Sequence, residues 1–100
     1  MAKYKYIVLL NYTQQGISKV RDSPNRAEAA RALARDCGAE MTDLYLTLGE
    51  YDAIAHVEAD SPEAVARFAL AVGSLGNVRS KTLQAFTEDQ FREIVQSLPK

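Results

Sequence analysis

Two hydrophobic periods divide the chain. From Tyr4 to Tyr12 the stretch YKYIVLLNY is aromatic, β-branched and apolar on both parities, which predicts a central strand buried on two faces. Thr13 is placed to cap a turn beginning at Gln14. The pattern then turns helical, with a break at Asp22-Ser23-Pro24. Ser23 reads as an N-cap and Pro24 as the first helical residue. Over residues 24–37, Ala27, Ala30, Leu33, Ala34 and Cys37 share one side, predicting the main helix, closed by Gly38. Its alanine-rich face predicts close approach to whatever the helix covers.

Residues 39–48 and 51–59 read as strands around Gly49-Glu50. Ser61-Pro62 repeats the cap-plus-proline signal, and Val65, Phe68, Ala69 and Val72 follow at helical spacing. Gly73 and Gly76 end that helix, and NVRSKTLQAF is a fourth, more charged strand. Thr87 with Gln90 forms a capping box. It opens a last helix carrying Phe91, Ile94, Val95 and Leu98 on one stripe, stopped by Pro99. The order is β-α-β-β-α-β-α. This predicts an α+β fold, a ferredoxin-like βαββαβ sandwich with an extra C-terminal helix, as a single domain over residues 1–100.

A two-residue loop with glycine first predicts a type II′ hairpin. Leu48 then faces Tyr51, and the register continues through Thr47–Asp52, Leu46–Ala53, Tyr45–Ile54 and Leu44–Ala55 to Asp43–His56. Parity assigns Leu44, Leu46, Leu48, Tyr51, Ala53, Ala55 and Val57 to a face that packs on the helices. Asp43, Tyr45, Thr47, Asp52, Ile54 and His56 fall on the other face. Ile7, Leu9 and Asn11 join them from the first strand, and Arg79, Lys81 and Leu83 from the fourth. This second face is mixed and needs partial cover. A second copy of the sheet would supply it, giving a homodimeric α+β barrel with polar groups around a semi-enclosed space.

Composition narrows the function classes. Of 100 residues, 47% are hydrophobic and 25% charged, with a net charge of −1, so one globular domain is expected. No basic surface is available for a nucleic-acid partner, and no apolar run is long enough for a membrane span. Basic residues precede IVLL near the N-terminus, but that run is short and no small-residue cleavage site follows, so the segment is read as a strand rather than a leader. The single cysteine, Cys37, excludes an internal disulfide and suits a cytoplasmic protein. It is expected to be a small packed residue at a helix end.

Candidate chemistry is sparse. Asp52 and His56 have the spacing of a metal pair on a helix, but on a strand they stand roughly 13 Å apart, at about 3.3 Å per residue. They cannot share one ion, so no metal site and no cofactor are expected. Asp43 opposite His56 offers either a general base at a cleft or a cross-strand ion pair of about 0.2–1 kcal/mol. Asp52 either accepts backbone N–H bonds at the hairpin corner or points into the cleft with Asn11, Tyr45 and Lys81. Tyr51 is expected in the core. Asn11, Tyr45 and His56, with Asp43 and Lys81, are the candidate ligand-binding residues. His56 and Asp52 are the candidate proton acceptors. Arg79 and Lys81 bind an anion or protect an edge strand from mispairing. GSLGNVR lacks the spacing of a phosphate loop.

The segments YIVLLNYTQQGI, LGEYDAIAHVEA and ALAVGSLGNVRSKTLQAFT carry a family resemblance. The chain resembles the GYD domain family of small bacterial proteins, with Gly49, Tyr51 and Asp52 as its signature and Glu50 standing between Gly49 and Tyr51. The resemblance implies a fold similar to the dimeric α+β barrels, and it implies no particular activity. Three functions follow for test. The first is a homodimer binding a small apolar or aromatic ligand between sheets and helices. The second is a cofactor-free monooxygenase- or isomerase-like enzyme using His56 or Asp52. The third is a structural or regulatory interaction module.

Overall fold

A computed structural model describes residues 4–100; Met1–Lys3, the start of the segment weighed as a leader, lie outside the described residues. Four strands form one antiparallel sheet in the order β2-β3-β1-β4, with β1 Tyr4–Tyr12, β2 Ala39–Leu46, β3 Ala53–Ala59 and β4 Val78–Ala85. The first strand is central, as its two apolar parities require. The helices are α1 Gln14–Ser18, α2 Ser23–Cys37, α3 Pro62–Ser74 and α4 Glu88–Gln96. This is the ferredoxin-like α+β arrangement with an added last helix.

The caps follow local chemistry, with one exception. Thr13 accepts a bond from Gly16 N, Ser61 from Ala64 N, and Thr87 with Gln90 closes a capping box. Ser23, expected to cap α2, does not. A 3-10 turn over Val20–Asp22 runs straight into the helix, and Asp22 takes the cap position without a side-chain bond. The Ser23 hydroxyl is free for tertiary bonds. Gly38 closes α2 at φ +92°, and Arg67 of α3 donates to the Cys37 carbonyl at 2.6 Å, joining the two helices.

The core lies between the sheet and α2 and α3. Tyr6, Val8, Ala55, Val57 and Met41 face it from the strands, Ala34 and Cys37 from α2, and Val65 and Phe68 from α3. Burial pushes the Tyr6 phenol above its usual 10.0, with Tyr4 and the Glu63 carboxylate adding to the rise. Ala34 is fully buried, so α2 does approach closely at its C-terminal end. Towards its N-terminus the expectation of close approach fails, because Ala27 and Ala30 border a cavity instead.

The α4 helix stands away from this body. Its stripe of Phe91, Ile94 and Val95 is exposed, as is Leu98, which lies beyond the helix end at Gln96 instead of on the stripe. The radius of gyration is 15.0 Å, against about 13 Å for a compact domain of this length.

Candidate functional site

The register expected between β2 and β3 is present: Asp43 faces His56, Leu44 faces Ala55, Tyr45 faces Ile54 and Leu46 faces Ala53. Thr42 is the extra residue of a bulge between Met41 and Asp43. On the face away from the helices, His56 Nδ1 lies 3.1 Å from Asp43 Oδ2, and the Tyr45 ring meets the imidazole edge-on at 5.8 Å between centroids. Side chains 43% and 47% exposed hold the value of the Asp43–His56 pair to about 0–1 kcal/mol. Asn11 and Lys81 share this face, since Asn11 pairs with Arg79 and Leu9 with Lys81. The Asn11 amide, however, donates to Glu50 O at 3.0 Å. The open face therefore carries the candidate ligand residues together on one surface of the sheet.

The hairpin tip departs from the two-residue turn. Thr47 N donates to Asp52 O at 3.0 Å and the Thr47 hydroxyl donates to Tyr51 O at 2.6 Å, closing a wider loop. Gly49 sits at φ +114°, a conformation that side chains disfavour. Asp52 bends out of strand geometry. Its N–H donates to Leu10 O and its Oδ2 accepts the Tyr12 N–H, both at 2.9 Å. Here β1 outruns β3, whose pairing stops at Leu10–Ala53, and the carboxylate replaces the missing strand.

This bend reverses the expected faces. Tyr51, expected in the core, lies under Lys81 on the open face, with Nζ 5.8 Å from its ring centroid. Asp52, expected on the open face, contributes to the helix-side cavity. Leu46 and Leu48, expected against the helices, are 80% and 99% exposed, because the helices do not reach the end of the hairpin.

The helix-side cavity has a volume of about 340 Å³. Val8, Leu10, Leu33, Leu44, Phe68 and Val72 form its apolar wall. Tyr12, Ser23, Arg26, Asp52 and Asn77 form a polar end. There the Tyr12 and Ser23 hydroxyls lie 3.0 Å apart, and Arg26 donates to Ser23 Oγ, Gly16 O and Lys19 O. Of the sequence candidates, only Asp52 borders this space. Two of the missed residues carried misleading local signals, Ser23 that of a cap and Tyr12 that of a strand end, and Arg26 carried none. The small alanines of α2 were the usable clue.

The GYD domain profile matches residues 6–95. The chain belongs to the GYD domain family. A Thermus thermophilus relative, named glutamine synthetase and cystathionine beta-lyase binding protein, is 37% identical over 81 residues, covering 80% of this GYD chain and 85% of its own. Among solved structures, MtbAldR superposes with a TM-score of 0.69 at 18% identity over 87% of this chain. The Mycobacterium tuberculosis leucine response regulatory protein does so at 0.64 and 19% over 84%. The GYD chain spans about half of each, 54% and 51%. These likenesses establish the ferredoxin-like fold. Among the described residues, no helix is long and apolar enough to cross a membrane.

Proposed function

We propose that this GYD protein is a cytoplasmic homodimer that binds one small, largely apolar molecule per chain in the helix-side cavity. The cavity carries the reading: about 340 Å³ falls in the usual range for ligand pockets, and an apolar wall ending in a few polar groups is their usual make-up. The wall would take an aliphatic or aromatic body. The Asp52 carboxylate and the Tyr12 hydroxyl would orient a polar substituent. Support for the dimer comes from the open face. Ile7, Leu9 and Ile54 are only partly covered there and Leu83 is exposed, a surface that a second sheet would bury.

A neutral fluorescent probe, N-phenyl-1-naphthylamine, tests the pocket. Saturable binding at one site per chain is expected, and Ala30→Phe, which fills the cavity, is expected to abolish it while the thermal melt persists. Equal binding by the well-folded variant would place the probe elsewhere and defeat the reading.

A second reading is a protein-binding module. It draws on the Thermus thermophilus relative named for binding two enzymes and on the protruding Leu46 and Leu48. Pull-down of purified glutamine synthetase, lost in Leu46→Ser/Leu48→Ser, tests it. An enzymatic role would rest on Asp52, since His56 lies on the opposite face from the cavity.

A further inference from the structure

The polar end of the helix-side cavity carries two opposite charges that do not neutralise each other. Arg26 of α2 and Asp52 of the hairpin corner both border it, and both are part-buried. Among the described residues, neither belongs to an ion pair. Each is held by neutral groups instead. Arg26 donates from Nη1 to Lys19 O at 3.0 Å, and from Nη2 to Gly16 O at 3.1 Å and Ser23 Oγ at 3.2 Å. A guanidinium has five N–H donors. The Nε–H and one proton of Nη1 therefore stay uncommitted among the described residues. Asp52 Oδ2 accepts the Tyr12 N–H at 2.9 Å, while its Oδ1 takes no bond among the described residues. Tyr12 separates the two charges. Asp52 sits at its backbone, and Arg26 is reached from its hydroxyl through Ser23.

The charge of a ligand has to answer this arrangement. A neutral molecule would cover both charges and supply no counter-charge to either, which is unfavourable. A carboxylic acid would meet Arg26 but face Asp52 with like charge. An amine would meet Asp52 but face Arg26 in the same way. A molecule carrying one anionic and one cationic group satisfies both, and the charges of Arg26 and Asp52 themselves cancel. The remaining wall, with Leu10, Leu33, Leu44, Phe68 and Val72, is apolar. Its volume of about 340 Å³ lies near the lower limit of ligand pockets, about 300–1,000 Å³. That suits a branched or single-ring body and excludes a long acyl chain or a nucleotide. We propose that the cavity takes a free amino acid with an apolar side chain, its carboxylate on Arg26 and its ammonium on Asp52. Charge-assisted bonds are roughly twice as strong as neutral ones. The polar end therefore selects the head group, and the wall selects the body.

This assignment rests on the ligand pocket proposed above, and the naphthylamine probe separates the two. L-Phenylalanine, 3-phenylpropionate and 2-phenylethylamine share one apolar body and differ only at the head group. Each would be titrated against the bound probe near neutral pH, on the full chain and on three variants checked for an intact melt. Asp52→Asn removes the charge and keeps an acceptor for the Tyr12 N–H. Arg26→Gln removes the opposite charge, and Arg26→Lys retains it. On the wild type, L-phenylalanine is expected to bind at least tenfold more tightly than either analogue. In Asp52→Asn it should weaken at least tenfold while 3-phenylpropionate does not. In Arg26→Gln it should weaken as much while 2-phenylethylamine does not, and Arg26→Lys should recover most of the loss. A purely structural arginine would instead weaken all three ligands alike, which would overturn the assignment. So would a bound probe that L-phenylalanine displaced no better than its analogues, or not at all, with the pocket itself still standing. A wild type that bound no probe would remove the pocket and the assignment together.

Discussion

Replacing Asp52 by alanine tests the central structural assignment. Its Oδ2 accepts the Tyr12 N–H at 2.9 Å, where no strand neighbours that part of β1 on the β3 side. Alanine would leave a partly buried backbone donor unpaired and remove a charge-assisted bond. Such losses cost about 1.5–3 kcal/mol. For a domain of this size, about 4–8 °C per kcal/mol converts that to a fall of about 6–24 °C in Tm. Asp52→Asn keeps an acceptor of the same shape and should lose less than half as much. Urea titration at fixed protein concentration measures both, with an unchanged slope confirming that stability alone has moved. If Asp52→Ala lay within about 0.5 kcal/mol of the wild type, the carboxylate would not be holding the end of β1. The corner would then have to be explained by function.

Other positions give sharper local tests. A Cβ on Gly16 would run into the Asn77 carbonyl, so Gly16→Ala should cost about 1–3 kcal/mol in denaturant titration. Gly49 has open space around it but φ +114°, so Gly49→Ala should cost about 1–2 kcal/mol through backbone strain alone. Because folding raises the Tyr6 pKa above 10.0, its contribution is fully present below pH 10 and is lost as pH rises through the folded value. Tyr6→Phe should therefore show a shallower alkaline loss of stability, read by melts from pH 8 to 11.

Local signals carried most of the architecture. The capping box at Thr87, the proline after Ser61 and the two-sided apolarity of β1 each rest on interactions within a few residues, and each element formed. The register from Asp43–His56 to Leu46–Ala53 was also legible, because a one-residue slip would have mixed polar and apolar faces. The hairpin tip was not. Its conformation is set by Asp52 reaching Tyr12 and by Asn11 reaching Glu50, contacts between residues about forty apart that no parity rule contains. Ser23 failed because its hydroxyl bonds to the Tyr12 hydroxyl of β1 and to the Arg26 side chain rather than to a backbone N–H of α2. The cavity was visible only as an alanine-rich stripe, and small side chains signal either close approach or empty space. Ala34 and Ala30 show both outcomes on one helix.

The Gly-Tyr-Asp corner links the two faces physically. Asp52 secures the end of β1 beside the cavity's polar end, and through Tyr12 it is two hydrogen bonds from Ser23. Tyr51, the preceding residue, lies on the other face beneath Lys81. Gly49, at φ +114°, turns the chain ahead of that pair. Loosening the corner should therefore disturb both the pocket and the open face on which a dimer is proposed, whereas a change at Ala30 should touch only the pocket and one at Leu83 only the open face. An Asp52→Ala variant that dimerised more weakly and also bound the naphthylamine probe more weakly would show that the corner couples the two faces. If only one property moved, the signature would serve a single face, and the other would owe its geometry to the strands alone.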